Sequence, residues 1–327
     1  MNKIFVSILS VFLIFQSCIS DKKHVQRDLK LWFDKPAENW VEALPIGNGR
    51  LGAMVFGGVD LERIQLNEES VWTGGPTKRT NPEALQNLDK VRQLLFEGKY
   101  ADGDKLAQEK IMGTRIERGN HTYQTLGDLF IKFESLENSS KYKRTLDLRT
   151  AIATSTFESE GVKYTRQIFS SAPDNVIVIK LSASEKGKLN FSTWMERPGD
   201  AEEISVGENQ LLMTGFAEFE SRGTHFASLV NIDNTGGEII SNENGFTIKN
   251  ADKVKILISG RTDFWGKDET ETSVNDIKRA SEISFDVLKT KHIIDYQELF
   301  NRVDLALNEP DTLNLPTDKR LERIKEG

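Results

Sequence analysis

Between residues 122 and 265 apolar side chains recur at every second position, the period of a strand with one buried face. Leu129, Ile131 and Phe133 alternate with polar neighbours, and residues 155–159 and 162–166 flank Glu160-Gly161 in the pattern of a hairpin. Residues 176–181 are apolar apart from Lys180, and further short apolar runs follow at 189–194, 211–213, 226–232, 246–248 and 254–258. Turn residues separate them at 185–187, 234–237 and 242–245. Many short strands at this spacing predict a mainly β fold, a large antiparallel β-sandwich. Before residue 122 the pattern predicts a strand at Leu31-Trp32-Phe33, an apolar run at 51–56 after the turn Gly47-Asn48-Gly49, and a strand carrying Ile64 and Leu66.

The period lengthens in two places. Leu85, Leu88, Val91, Leu94 and Leu95 fall at helical spacing, with Asn81-Pro82 as a start signal and Gly98 as a stop, so residues 82–112 read as a short helical insertion. Residues 273–302 carry a second helical stripe through Ile277, Leu288 and Leu299. Leu315-Pro316-Thr317 then opens a helix bearing Leu321 and Ile324, so the C-terminal part reads as a helical linker.

The N-terminus has an export signal's pattern: one lysine, an apolar run at 4–15 broken only by Ser7 and Ser10, and then Ser17-Cys18. The run is shorter than the ~20 residues that span a bilayer. The sole cysteine directly after a small residue resembles a bacterial lipoprotein signal, making Cys18 the expected lipid-attachment residue; a plain secretory signal is the other reading. Exported, periplasmic or cell-surface placement follows, with the membrane touched only through a lipid anchor. The expected organisation is a signal at 1–18, a polar tether at 19–28, a β-domain at 29–268 and a helical linker at 269–327.

Composition then narrows the chemistry. The 327-residue chain holds 43 Lys+Arg against 50 Asp+Glu, a net charge of −7 with no basic stripe, which argues against a nucleic-acid partner. One cysteine and four scattered histidines make a metal site an unlikely design, and no phosphate-cradling or dinucleotide-binding glycine motif occurs, so no cofactor is expected. Glu68-Glu69 are adjacent carboxylates, but neighbours on a strand point to opposite faces and cannot flank one glycosidic bond. They read as solvated acids, as do Asp60 and Glu62. The five tryptophans are expected mainly as core or half-buried packing, Trp72 being the best ligand-contact candidate because Thr73-Gly74-Gly75-Pro76 behind it is loop chemistry. His121 lies in a similar polar loop.

Four stretches carry a more specific signal. "LWFDKPAENWVEALPIGNGRLGAMVFGGVDLERIQLNEESVWTGGP" at 31–76, "YQTLGDLFIKF" at 123–133, and "HIIDYQELFNRVDLAL" with "LPTDKRLERIKEG" near the C-terminus resemble glycoside hydrolase family 95, the family of 1,2-α-L-fucosidases. The resemblance implies an N-terminal β-super-sandwich, a helical linker, an (α/α)6 catalytic barrel and a C-terminal β-domain. It also implies inverting hydrolysis of α-fucosides, with a glutamate as general acid and asparagines with an aspartate positioning water. Those groups belong to the barrel, so no catalytic residue is assigned to this sequence, which is expected to be a fragment whose partners are fucosylated glycans and the missing barrel. Asn67, Glu68, Trp72, His121 and Gln124 are the candidate substrate contacts at the cleft rim. A standalone carbohydrate-binding surface lipoprotein is the alternative, and a ligand-free structural sandwich the third reading.

Overall fold

The computed structural model describes residues 29–326 apart from 76–77, 79, 114–120, 135, 137–138, 200, 220 and 306–313. Cys18, the signal and most of the tether lie outside the described residues. The strands are β1 (Lys30–Phe33), β2 (Leu44–Gly47), β3 (Leu51–Val55), β4 (Leu61–Glu68), β5 (Gly127–Phe133), β6 (Ser140–Asp147), β7 (Ile152–Ser159) and β8 (Val162–Ser171). They continue with β9 (Val176–Ala183), β10 (Leu189–Glu196), β11 (Ala201–Val206), β12 (Gln210–Phe219), β13 (Ser221–Thr235), β14 (Glu238–Ser241), β15 (Gly245–Ala251) and β16 (Lys253–Thr262). Helices α1 (Ala84–Phe96) and α2 (Tyr100–Lys110) form the insertion, and α3 (Glu269–Ser281), α4 (Phe285–Phe300) and α5 (Thr317–Lys325) follow the last strand.

The strands make two antiparallel sheets, as the alternation predicts. Nine strands run in the order β1-β6-β7-β8-β9-β16-β13-β12-β11, and seven in the order β14-β15-β10-β5-β4-β3-β2. The inward rows of both sheets meet in one core that includes Ile64, Leu66, Leu129, Ile131, Phe191, Ile179, Ile256 and Phe246. Phe133 touches Phe157, Tyr164 and Phe191 with centroids 5.3 to 6.5 Å apart. Each such ring pair adds about 0.5–1.5 kcal/mol beyond the area it buries.

Why residues 176–181 lack alternation is now plain. Ile177, Ile179 and Leu181 enter the sandwich, whereas Val176 and Val178 belong to a second cluster with Phe169, Leu229, Leu257, Ile277, Phe285 and Leu288. Helices α3 and α4 cover this outer face of the nine-stranded sheet, so its central strands are apolar on both sides. Capping sets where these helices begin: Asp268 accepts from the Glu271 amide (2.7 Å) and Ser284 from that of Val287 (3.4 Å). In the insertion, α1 starts two residues later than the Asn81-Pro82 signal predicts, although Asn81 Oδ1 still accepts from the Glu83 amide (2.9 Å). Leu321 and Ile324 of α5 are exposed, while Thr317 Oγ1 accepts from the Trp32 amide (3.0 Å) and ties that helix to β1.

Two expectations need correcting. Only Trp32 and Trp194 are half-buried as packing residues, no tryptophan is in the core, and Trp40, Trp72 and Trp265 are 55%, 43% and 69% exposed. Phe, Leu, Ile and Val fill the core instead. Nor are Glu62 and Glu68 solvated acids; they are 0% and 2% exposed, and only Asp60 and Glu69 face water. Residues 62, 64, 66 and 68 share one face of β4, so the two glutamates enter the sandwich with Ile64 and Leu66.

Glu62 meets Arg166 of β8, joining the two sheets through a fully buried ion pair. Arg166 also donates to the carbonyls of Gly58 and Val59, and Glu62 Oε1 accepts from the Gly57 amide (2.7 Å). Burial raises the Glu62 carboxyl above its usual range, while Arg166 and the Gly57 amide act in the opposite direction. The Arg166 guanidinium lies 5.2 and 5.3 Å from the rings of Phe133 and Phe157. Glu62→Gln leaves a buried guanidinium without its counter-charge and should cost about 3–5 kcal/mol in urea unfolding, whereas Glu62→Leu with Arg166→Met should recover most of that loss.

His292 of α4 is 3% exposed, stacks on Phe169 at 4.7 Å and donates from Nε2 to the Thr150 carbonyl (2.8 Å). Burial depresses its pKa, partly offset by the Thr150 and Ser170 carbonyls. The unfolded chain therefore takes up a proton, near an unfolded pKa of about 6.5, that the folded chain refuses. This contribution is full above that pH and is lost as pH falls below it. The stability advantage of the wild type over His292→Gln should accordingly shrink between pH 7.5 and pH 5.5, measured by urea unfolding at each pH.

Candidate functional site

A cavity of about 920 Å³ opens where β4 and β16 end, built by three segments together with His121 from the loop before β5. The first is the turn after β4. Its Glu68 carboxylate accepts from the Ser70 amide (2.8 Å) and hydroxyl (2.6 Å), and the Ser70 hydroxyl also meets Thr262 Oγ1 (2.5 Å). Val71, fully buried, anchors the turn and leaves Trp72 at the surface. The Trp72 indole donates to the Glu69 carbonyl (2.9 Å) and packs edge-on against Tyr123 at 5.5 Å, so the ring is held in place before any ligand arrives.

The second segment is the start of β13. Thr224 donates its amide to the Trp72 carbonyl (3.0 Å) and its hydroxyl to the Ser70 carbonyl (2.9 Å). Gly223 passes so close that a Cβ there would stand 2.0 Å from the Trp72 carbonyl oxygen, which excludes any other residue without moving one strand. Across the cavity Gly74, at φ +75°, leaves room for the His121 ring, 2.7 Å from where a Cβ would sit. The third segment is the 3₁₀ turn Asp263–Trp265 that ends β16. Thr262 Oγ1 accepts from the Phe264 amide (3.3 Å), and Phe264 and Trp265 meet edge to face at 4.9 Å, 59% and 69% exposed.

The wall is therefore aromatic and glycine-rich, with the indole of Trp72, the rings of Phe264 and Trp265, and His121. Two carboxylates reach it, Glu69 and Asp263, and Asp263 Oδ1 already accepts from the His225 amide (2.9 Å). Apolar ring faces suit the C–H faces of pyranoses, with hydroxyls and carbonyls at the edge to take sugar hydroxyls. Among the described residues no group of three or more His, Cys, Asp or Glu side chains could hold a metal ion.

Of the sequence candidates, Trp72 and His121 line the cavity together. Asn67 stands beside it, its Oδ1 accepting from the Tyr123 hydroxyl (3.2 Å) that backs Trp72. Glu68 lies beneath, tied to Ser70 and to Arg50 Nη1 (3.3 Å). Gln124 is not on the cavity wall: it accepts from Arg197 (2.6 Å) and donates to the Glu218 carbonyl (3.2 Å). Sequence reasoning missed Phe264 as a wall residue, along with Gly223, Thr224 and Asp263, and did not single out Trp265. Two adjacent aromatics before a glycine in polar surroundings, Phe264-Trp265-Gly266, were the available signal.

The sequence profile of the glycosyl hydrolase family 65 N-terminal domain matches residues 31–267. Alpha-L-fucosidase 2 of Arabidopsis thaliana is 33% identical over 90% of this chain and 38% of its own length. Probable alpha-fucosidase A of Aspergillus niger is 27% identical over 89% of this chain and 39% of its own. The chain thus spans about two fifths of the length of these curated relatives. A solved putative kojibiose phosphorylase from the human microbiome overlaps with a TM-score of 0.48 at 10% identity, over 84% of this chain and 38% of its own, too loosely to carry an argument. By the family match over most of its length, the chain belongs to the glycosyl hydrolase family 65 N-terminal domain family, in the family 95-like form that its motifs resemble.

Proposed function

We propose that this chain is the non-catalytic N-terminal part of an exported α-L-fucosidase-like hydrolase of fucosylated glycans, that it braces a catalytic (α/α)6 barrel, and that its aromatic cavity contributes to the cleft rim. The observation carrying this reading is the pre-set aromatic wall of Trp72, Phe264 and Trp265 at one end of the sandwich. The state of the acids supports the non-catalytic half. Glu62, Glu68, Asp128, Asp174 and Asp276 are buried and each is ion-paired to an arginine or lysine, and buried Glu269 meets His225 Nδ1, partnered acids rather than a free acid and base across a bond. Asn67, Trp72 and His121 are the rim contacts, with Glu68 and Gln124 holding the segments that carry them.

The 327-residue chain should release no fucose from 2′-fucosyllactose. In titration calorimetry it should bind that sugar weakly, and Trp72→Ala should reduce the affinity tenfold or more. Fucose release by the purified chain, or binding that ignores the Trp72 substitution, would sink the reading.

The Ser17-Cys18 signal supports export with a lipid anchor on Cys18. Bacterial cells expressing the chain should incorporate labelled palmitate into it, and Cys18→Ala should abolish the label. An unlabelled wild-type chain would leave no anchor.

A further inference from the structure

A second hollow, of about 310 Å³, shares Trp265 with the aromatic cavity but has the opposite character. Four cations line it, Arg50, Arg261, Lys267 and Arg279, against two carboxylates, Glu68 and Asp276, a surplus of two positive charges in a chain whose net charge is −7.

Both carboxylates are fully used. Glu68 takes Arg50 on Oε1 and Ser70 on Oε2. Asp276 takes Arg261 Nε (2.7 Å) and Nη2 (2.6 Å) on Oδ2, and Arg279 Nη2 (2.5 Å) on Oδ1. Donors remain: the Lys267 ammonium makes no hydrogen bond or ion pair among the described residues, and Arg261 Nη1 and Arg279 Nη1 are likewise uncommitted.

Nearby like charge points the same way. Burial first, and then the positive charge of Arg261, hold the Arg50 guanidinium below its usual range, against the opposing pull of Glu68 and Asp276. An anion seated in the hollow would offset that repulsion. Thr272 and Asn275 add neutral hydrogen-bonding groups, and Trp265 offers an aromatic wall.

We infer that this hollow is a binding site for an acidic saccharide residue, a pyranose bearing a carboxylate or a sulfate ester, next to the neutral sugar at the aromatic cavity. A volume of 310 Å³ lies at the lower end for small-ligand pockets and matches one monosaccharide unit. The acidic substituent is taken by the donors left over, the Lys267 ammonium together with Nη1 of Arg261 and of Arg279, whose charge-assisted hydrogen bonds are the strong ones. The saccharide half of the assignment rests on the glycan-binding reading above; the anionic half rests on the hollow alone.

The test is tryptophan fluorescence titration of the full chain at low salt with galactose 6-sulfate, glucuronic acid, galactose and inorganic sulfate. At least one acidic sugar should saturate the signal tenfold or more tighter than both galactose and inorganic sulfate, and which one does so distinguishes sulfate ester from carboxylate. Lys267→Ala with Arg279→Ala, both on exposed side chains, should weaken that binding at least tenfold while leaving 2′-fucosyllactose binding unchanged. The inference falls if neither acidic sugar outcompetes galactose, if inorganic sulfate binds equally well, or if the double substitution changes nothing. A loss of fucosyllactose binding on Trp72→Ala reports separately on the aromatic cavity, so failure of one reading is distinguishable from failure of the other.

Discussion

The two sheets are held in register by one strand that carries charge at both ends of its inward row. In β4, Glu62 and Glu68 bracket Ile64 and Leu66 on the buried face. Glu62 crosses to Arg166 in the nine-stranded sheet. At the other end Glu68 holds Arg50, whose Nη1 donates to the Gly260 carbonyl of β16 (2.6 Å), and Ser70, which reaches Thr262 at the end of that strand. Hydrophobic contact between sheets is non-directional and tolerates sliding, whereas a buried charge is tolerable only when its partner is in place. We read the two pairs as pins that select one packing of the sheets among several apolar alternatives.

The same pins position the site. Because Glu68 fixes the turn through Ser70, Val71 is drawn into the core and Trp72 is left outward at a set angle. Because Ser70 also meets Thr262, the β4 turn and the 3₁₀ turn carrying Phe264 and Trp265 are brought to one end of the sandwich. An aromatic cavity and a cationic hollow then share Trp265, with Glu68 beneath them. Binding surfaces on such turns lose little conformational freedom when occupied, since the Trp72 indole is already hydrogen-bonded and braced by Tyr123.

Much of the fold was legible in the chain, and the reasons are local. The Glu160-Gly161 turn between β7 and β8 has both residues at positive φ, 50° and 81°, as a tight hairpin needs. The apolar run at 176–181 also announced a strand, but only the helices lying over it explain why both its faces are apolar. Of the candidate site, Trp72 and His121 were readable because turn residues surround them. Phe264, in the 3₁₀ turn after β16, and Thr224, at the start of β13, lie far along the chain, and nothing in a linear pattern says which strand ends become neighbours.

Periodicity and turn chemistry by themselves determined that this protein is a mainly antiparallel β-domain with a helical insertion and a helical C-terminal part, because each of those features depends on residues a few positions apart. Strand parity puts Glu62 and Glu68 on the same face as Ile64 and Leu66, yet read from the chain alone both acids passed for solvated ones. Whether that face was dry, and which cation met each acid, was decided only when a second sheet closed over it. A charge's environment depends on what packs against it from elsewhere in the chain, and for Arg166 that partner lies 104 residues away.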